Sequence, residues 1–160
     1  MATSNHIDTT DLKILRALQR DGRLSNADIA DTVALSPSPC LRRLRRLEED
    51  GVITGYRPQL DRRAIGLGMT VFVQVKLQDH GAASVEGFEQ ALMEMPAVIN
   101  ASTVSGSADY LLEVVVADLA DYDVWVRVMQ ALAMVREIES NFALRAVKSE
   151  APLPLPRLLR

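Results

Sequence analysis

Cysteine is almost missing from this chain of 160 residues, and its single copy, Cys40, excludes an internal disulfide framework. Histidine is nearly as scarce. His6 and His80 stand far apart with no second cysteine to complete a zinc set, so no metal site is expected. No stretch approaches the roughly 20 apolar residues of a membrane span, and the polar start Met1-Ala-Thr-Ser-Asn-His6 is not a secretory signal. The expected location is the cytoplasm, with no membrane partner. Hydrophobic residues make up 48% and charged residues 24%, the balance of a soluble globular protein with room for one full domain or two small ones. Acids, finally, are absent from residues 36–47, although the whole chain carries a net charge of −3.

That acid-free stretch opens the run Ser36-Pro-Ser-Pro-Cys-Leu-Arg-Arg-Leu-Arg-Arg-Leu-Glu-Glu-Asp-Gly51, which sets four arginines and three leucines on one predicted helix with its acids only at the far end. Ser36 is placed as the N-cap. Pro37 and Pro39 fall in the first turn, where backbone N–H groups lack helical partners, and Gly51 ends the helix as a C′ residue. On a 3.6-residue period Cys40, Leu41, Leu44 and Leu47 share one face, so Cys40 reads as packing. Arg42 and Arg46 lie nearly opposite, flanked by Arg43 and Arg45. Free N–H donors at the helix start suit a phosphate, and arginine forks onto guanine O6 and N7 in a major groove. Ser36 and Ser38 are therefore assigned to phosphate or base contact, and Arg42, Arg43 and Arg46 to bases and backbone of double-stranded DNA.

Upstream, Ile14, Leu15 and Leu18 predict a first helix over residues 9–20, broken at Asp21-Gly-Arg23. Ser25-Asn-Ala-Asp28 fits a capping box opening a second helix through Val33, with Ala34-Leu35 as the tight turn into the third. This is the order of a helix-turn-helix. A small bundle with an exposed charged face reads the same way in outline, and the local concentration of arginine favours DNA. Residues 1–60 hold nine Lys/Arg against eight Asp/Glu, and residues 61–160 hold nine against thirteen. The acidic remainder weakens non-specific attraction to DNA, which points to paired DNA-binding domains in a dimer and half-sites about one helical turn, or a multiple, apart.

Beyond the helices, Val52 to Leu60 reads as an extended linker with Gly55 and Pro58 as breakers, followed by a short helical turn from Asp61 to Leu67. Period two then sets in, with Val71, Val73, Val75 and Leu77 on one face of a strand. A helix over residues 82–95 places Val85, Phe88, Leu92 and Met95 together, with Pro96 closing it. Strands follow over 98–104 and 110–117. Asp118 caps a helix burying Leu119, Tyr122, Trp125, Met129 and Leu132, in which Tyr122, Trp125 and Met129 read as core, and residues 135–148 return as strand. The order is βαββαβ, a ferredoxin-like arrangement whose uncovered sheet face calls for a partner, most simply a second copy. The fold class is α+β, an N-terminal helix-turn-helix (winged-helix-like) domain and a C-terminal ferredoxin-like domain. Its expected bounds are 1–52, a linker strand and turn over 53–68, the βαββαβ domain over 69–150 and a Pro-rich tail over 151–160, extended or docked on a neighbour.

The runs Asp11-Leu-Lys-Ile-Leu15, Asp21-Gly-Arg23, Leu35 through Tyr56, and Val104-Ser-Gly-Ser-Ala-Asp-Tyr-Leu-Leu112 closely resemble the Lrp/AsnC, or feast/famine, transcriptional regulators. The resemblance spans about Ile7 to Lys148. It implies a regulator of amino-acid metabolism or transport genes, a linker strand paired with its counterpart in a second subunit, and assembly into homodimers, often four in a ring, with dimers and tetramers as the alternatives. It also implies a free amino acid bound at a subunit interface near the turn Gly106-Ser-Ala-Asp109. Judged by spacing alone that turn is an ordinary hairpin connection; the resemblance makes it an effector loop. Asp109 is then the partner of the ammonium group and Gly106 the point of backbone approach, with Thr103, Tyr110 and Ser140 as further effector contacts. The sequence departs from the family at Leu132-Ala-Met-Val135, where many relatives carry Leu-Pro-Gly-Val, which puts that connection in question.

No catalytic residues and no cofactor are expected. Two other classes remain for such a chain: an effector-independent architectural DNA-binding protein, and a sirohaem-type decarboxylase of related fold, for which His6 and His80 are the available acid/base groups.

Overall fold

The computed structural model describes residues 7–156. His6 with the polar start, and residues 157–160 of the tail, lie outside that range. The chain divides into two compact units, one running to Pro58 and taking up the chain again from Lys148, the other spanning Gln59–Val147. The expected linker is thus split, and residues 148–150 leave the second unit for the first.

The first unit holds α1 (Thr9–Arg20), α2 (Asn26–Val33) and α3 (Pro37–Glu49). Asp8 caps α1 in a reciprocal box with Asp11: the Asp11 N–H donates to Asp8 Oδ1 at 2.9 Å and the Asp8 N–H to Asp11 Oδ2 at 3.0 Å. Ser25 and Asp28 form the expected box on α2. Ala34 takes the left-handed conformation, φ 56°, and swings the chain into α3. Ser36 stands at the N-cap of α3 but makes no capping bond, because Pro39 occupies the N3 position whose N–H a capping hydroxyl would take. Gly51, φ +70°, terminates α3 as expected, donating its N–H to Glu48 O at 3.0 Å. Ile14, Ile29, Ala30, Val33, Cys40 and Leu47 make the core between the helices.

Residues 54–60 form no strand within the chain; the Tyr56 hydroxyl returns to α3 by donating to Glu48 Oε1 at 2.9 Å. Residues 151–156 carry no regular structure, and the Gln19 side-chain amide meets both the N–H and the C=O of Leu153.

The second unit runs β1 (Met69–Leu77), α4 (Ala82–Met93), β2 (Val98–Thr103), β3 (Tyr110–Val116), α5 (Leu119–Gln130) and β4 (Val135–Phe142), its four strands forming one antiparallel sheet in the order β2-β3-β1-β4. This is the expected ferredoxin-like arrangement. Alternation along β1 sends Val71, Val73, Val75 and Leu77 into a core with Leu112, Val114, Phe88, Leu92, Tyr122, Trp125 and Met129. On the opposite face Phe72 and Leu111 remain 42% and 39% exposed.

Three elements differ from the sequence reading. The helix α4 ends at Met93 rather than Met95, since Pro96 disfavours helical backbone in the residue before it. Leu119 is exposed, not buried: it lies about 90° around α5 from the centre of the Tyr122, Trp125, Met129 face. The strand β4 stops at Phe142 rather than Lys148 because β1 runs out beside it. Phe142 is opposite Val71, and the Ala143 N–H bond to Thr70 O is the last rung.

The departure at Leu132-Ala-Met-Val135 still forms a turn, closed by the Val135 N–H on Leu132 O at 3.0 Å. Both central residues keep negative φ, so the turn needs no glycine. The segment before β1 is anchored by Arg62, which donates to Glu113 Oε1 at 2.9 Å and to Thr70 Oγ1 at 3.2 Å. No described helix is long and apolar enough to cross a membrane.

Ala34 is a local strain that glycine would relieve. Left-handed backbone costs an L-residue about 1–2 kcal/mol, and glycine gives back roughly 0.5–1 kcal/mol in chain entropy. Ala34→Gly is expected to stabilise the helical unit by about 0.5–1 kcal/mol in urea denaturation.

Candidate nucleic-acid interface and effector loop

The helix α3 presents Ser36 and Ser38 at its exposed start, and Arg42 and Arg45 exposed along its flank. Ser38, Leu41, Arg42, Arg43, Arg45, Arg46 and Glu49 line an open groove of about 550 Å³. The arginines are not equivalent. Arg43 Nη1 donates to Asp8 Oδ2 at 2.6 Å and to Asp11 Oδ1 at 2.8 Å, and Arg46 Nη2 donates to Asp11 Oδ2 at 2.5 Å. Arg42 and Arg45 make no ion pair among the described residues. The face opposite the leucines therefore does not carry free positive charge throughout, as the helical period alone suggests: two of its arginines are held by α1. Arg45, left out of the sequence assignment, is as available as Arg42. Its signal was the same spacing, and what hid its importance was the engagement of Arg43 and Arg46, made across 32 to 35 residues of sequence.

In the second unit the turn after β2 holds Gly106 at φ +127°, with open space where a Cβ would stand. That conformation favours glycine and leaves the backbone approachable. Asp109 closes the turn with both carboxylate oxygens engaged: Oδ2 accepts the Leu77 N–H at 2.8 Å, and Oδ1 lies 2.9 Å from His80 Nε2. His80, which sequence reasoning set aside, thus belongs to this loop. It is 29 residues from Asp109, and nothing in the spacing announced the pair. The His80 bond, with the Leu77 N–H second, holds the Asp109 carboxyl below the usual carboxylate range, and the same bond raises the His80 imidazole above its ordinary value.

The structure does not bring the other expected effector contacts into this cluster as free groups. Tyr110 is buried, its ring centroid 4.7 Å from that of Phe88 and its hydroxyl donating to Glu89 Oε1 at 3.0 Å. Burial, then the Glu89 contact, pushes its phenol up to about 12. Ser140 sits opposite Val73, on the helix-covered face, and shares a hydrogen bond with the Tyr122 hydroxyl. Their register turns both toward the helix-covered face, where Tyr110 is buried and Ser140 half-buried. Thr103 lies exposed at the end of β2, opposite Tyr110. Among the described residues no three His, Cys, Asp or Glu side chains gather closely enough to hold a metal ion.

A three-helix unit offering an arginine-bearing helix, joined to a ferredoxin-like unit with an open glycine turn, defines a two-domain DNA-binding regulator. Comparison with known proteins gives the family. Residues 7–54 match the family model described as winged helix-turn-helix DNA-binding, and residues 70–153 match the Lrp/AsnC ligand binding domain. The chain belongs to the Lrp/AsnC family of transcriptional regulators. It is 43% identical to the Bkd operon transcriptional regulator of Pseudomonas aeruginosa, over 93% of this chain and 98% of that protein. It is 37% identical to the DNA-binding transcriptional activator DecR of Escherichia coli, over 93% and 99%. Among solved structures, a Neisseria meningitidis transcriptional regulator in complex with L-Met superposes with a TM-score of 0.91 at 35% identity, covering 95% of this chain and 99% of that one.

The His80 and Asp109 pair has a measurable signature. A histidine whose pKa rises on folding contributes stability that is complete below its unfolded value of about 6.5 and lost as pH climbs through the folded one. An NMR titration of the His80 ring should give a midpoint above 6.5 that falls back toward 6.5 in Asp109→Asn; equal midpoints would show that the pair does not form.

Proposed function

We propose that this regulator reads DNA with the exposed first turns of α3, through Arg42, Arg45, Ser36 and Ser38, and responds to a free amino acid at the Gly106 to Asp109 loop. The observation that carries the reading is the solvent-facing surface of α3 at Ser38, Arg42 and Arg45, in a groove lined by four arginines against the single acid Glu49. The helix start offers the Ser38 N–H to a phosphate, Pro37 and Pro39 having none, and the two arginines make no ion pair among the described residues. Arg43 and Arg46 join them only in part, since α1 already holds them.

For the effector, Gly106 supplies backbone approach and Asp109 supplies negative charge for an ammonium group, with Thr103 at the rim. The L-Met bound to the Neisseria protein supports the amino-acid class. The half-exposed Phe72 and Leu111 face fits a second copy, giving a homodimer that can assemble further into an octamer or tetramer, with the linker at residues 53–60 pairing across subunits. Two recognition helices in a dimer fit half-sites about one helical turn, or a multiple, apart. Effector binding then shifts the balance among assemblies by its differential affinity for them. A Zymomonas mobilis relative named glutamate uptake regulatory protein supports genes of amino-acid metabolism or transport as targets. The reading gives the protein no catalytic role and places its work in the cytoplasm, where the DNA is.

The test is a binding titration of the full-length protein on a duplex that it has itself selected from a random library, with and without each of the twenty amino acids. Each base-reading arginine is worth about 1–3 kcal/mol. Arg42→Ala with Arg45→Ala should weaken binding at least tenfold, and one amino acid or a few should change the wild-type affinity. Unchanged affinity in the double variant contradicts the assignment of α3.

A further inference from the structure

Asp11 is the one polar or charged residue fully buried among the described residues, at 0% exposure, and DNA recognition by itself does not call for an acid beneath a recognition helix. Its carboxylate accepts from the Asp8 N–H, from Arg43 and from Arg46, while Asp8 accepts from Arg43 as well. The four arginines of α3 thereby separate into two pairs with the same spacing. Arg43 and Arg46 turn toward α1, whereas Arg42 and Arg45 have no ion pair among the described residues and face solvent.

This separation matters because an unattached arginine at a DNA interface contacts any phosphate it can reach. Such contacts raise affinity for every sequence equally, and specificity is a difference of affinities. A carboxylate offers a guanidinium the same forked acceptor geometry that a phosphate does. Two carboxylates on the first turn of α1 therefore compete with the DNA backbone for Arg43 and Arg46. They also fix the rotation of α3 about its axis, since Arg43 and Arg46 are both tied to the same short segment. Asp11 is enclosed and rigid; Asp8, with a side chain 37% exposed, is the part of the clamp that can be altered without opening the core.

We propose that Asp11 and Asp8 are specificity-determining positioning residues, which hold Arg43 and Arg46 away from phosphate and leave base reading to Arg42 and Arg45. The inference rests on the DNA-binding reading above and adds to it a role for acids that net charge would predict to be harmful. On charge alone, removing an acid beside the interface strengthens binding to all DNA. A purely structural role predicts that removing it weakens binding to all DNA. The clamp predicts a split: weaker preference for the selected duplex, stronger hold on arbitrary sequence.

The experiment measures affinity for the selected duplex and for a scrambled duplex of the same composition across a range of salt, using full-length wild type, Asp11→Asn and Asp8→Asn. For Asp11→Asn the ratio of selected to scrambled affinity should fall tenfold or more. The salt dependence on scrambled DNA should steepen by about one to two units of log–log slope as one or two arginines gain phosphates. Asp8→Asn, which leaves the buried group in place, should change both in the same direction by a smaller amount, and it decides the matter if Asp11→Asn does not fold. Equal ratios and slopes in wild type and Asp8→Asn, with Asp11→Asn either equal or unfolded, overturn the clamp. A wild-type protein that selects no duplex would instead overturn the DNA-binding reading itself.

Discussion

The helical unit depends on one carboxylate. Asp11 is out of contact with water and has to be satisfied from within, which α3 does with two guanidinium groups and α1 with the Asp8 N–H. Well-packed apolar groups could replace such a cluster at little cost in stability, whereas stripping a buried charge of its partners costs about 3–5 kcal/mol. The cluster is therefore better understood as fixing geometry than as supplying stability. It ties the start of α1 to the middle of α3, while Ile14, Cys40 and Leu47 fill the space between the helices. The capping box makes the same carboxylate part of the α1 start, so helix initiation and helix orientation are one arrangement.

A corresponding device organises the second unit. Asp109 follows the open turn and grips the end of β1 through the Leu77 N–H, while its other oxygen holds His80 in the loop before α4. Two connections of the sheet, the β2–β3 turn and the β1–α4 loop, therefore converge on one side chain that is still 27% exposed. A ligand drawing on this carboxylate would compete with bonds that set the ends of β1 and β3. That would give ligand binding a physical route to the sheet, and so to the homodimer proposed above at its uncovered face.

Local chemistry was legible in the sequence. The α1 and α2 boundaries, the Gly51 stop, the Asp118 cap and the alternation along β1 all come from signals within a few residues, and the structure reproduces them. The element order followed from the same signals. What escaped was made by residues distant in sequence. The engagement of Arg43 and Arg46 by α1, the His80 to Asp109 pair and the Ser140 to Tyr122 bond join residues 18 to 35 apart, and no periodicity reports them. The end of β4 escaped for a related reason: its own residues suit a strand beyond Phe142, and only the limit of its neighbour β1 stops it. The candidate DNA surface was thus visible as a region, but the division of labour among its arginines was not.

With α3 entering the major groove as one of a pair, guanine N7 is the atom that reports the contact. Dimethyl sulfate protection of the selected duplex by the full-length protein should show guanines shielded at N7 in two clusters separated by about one helical turn, or a multiple of it. Protection confined to the minor groove, or a duplex bound with every guanine N7 still reactive, would show that α3 does not read the major groove.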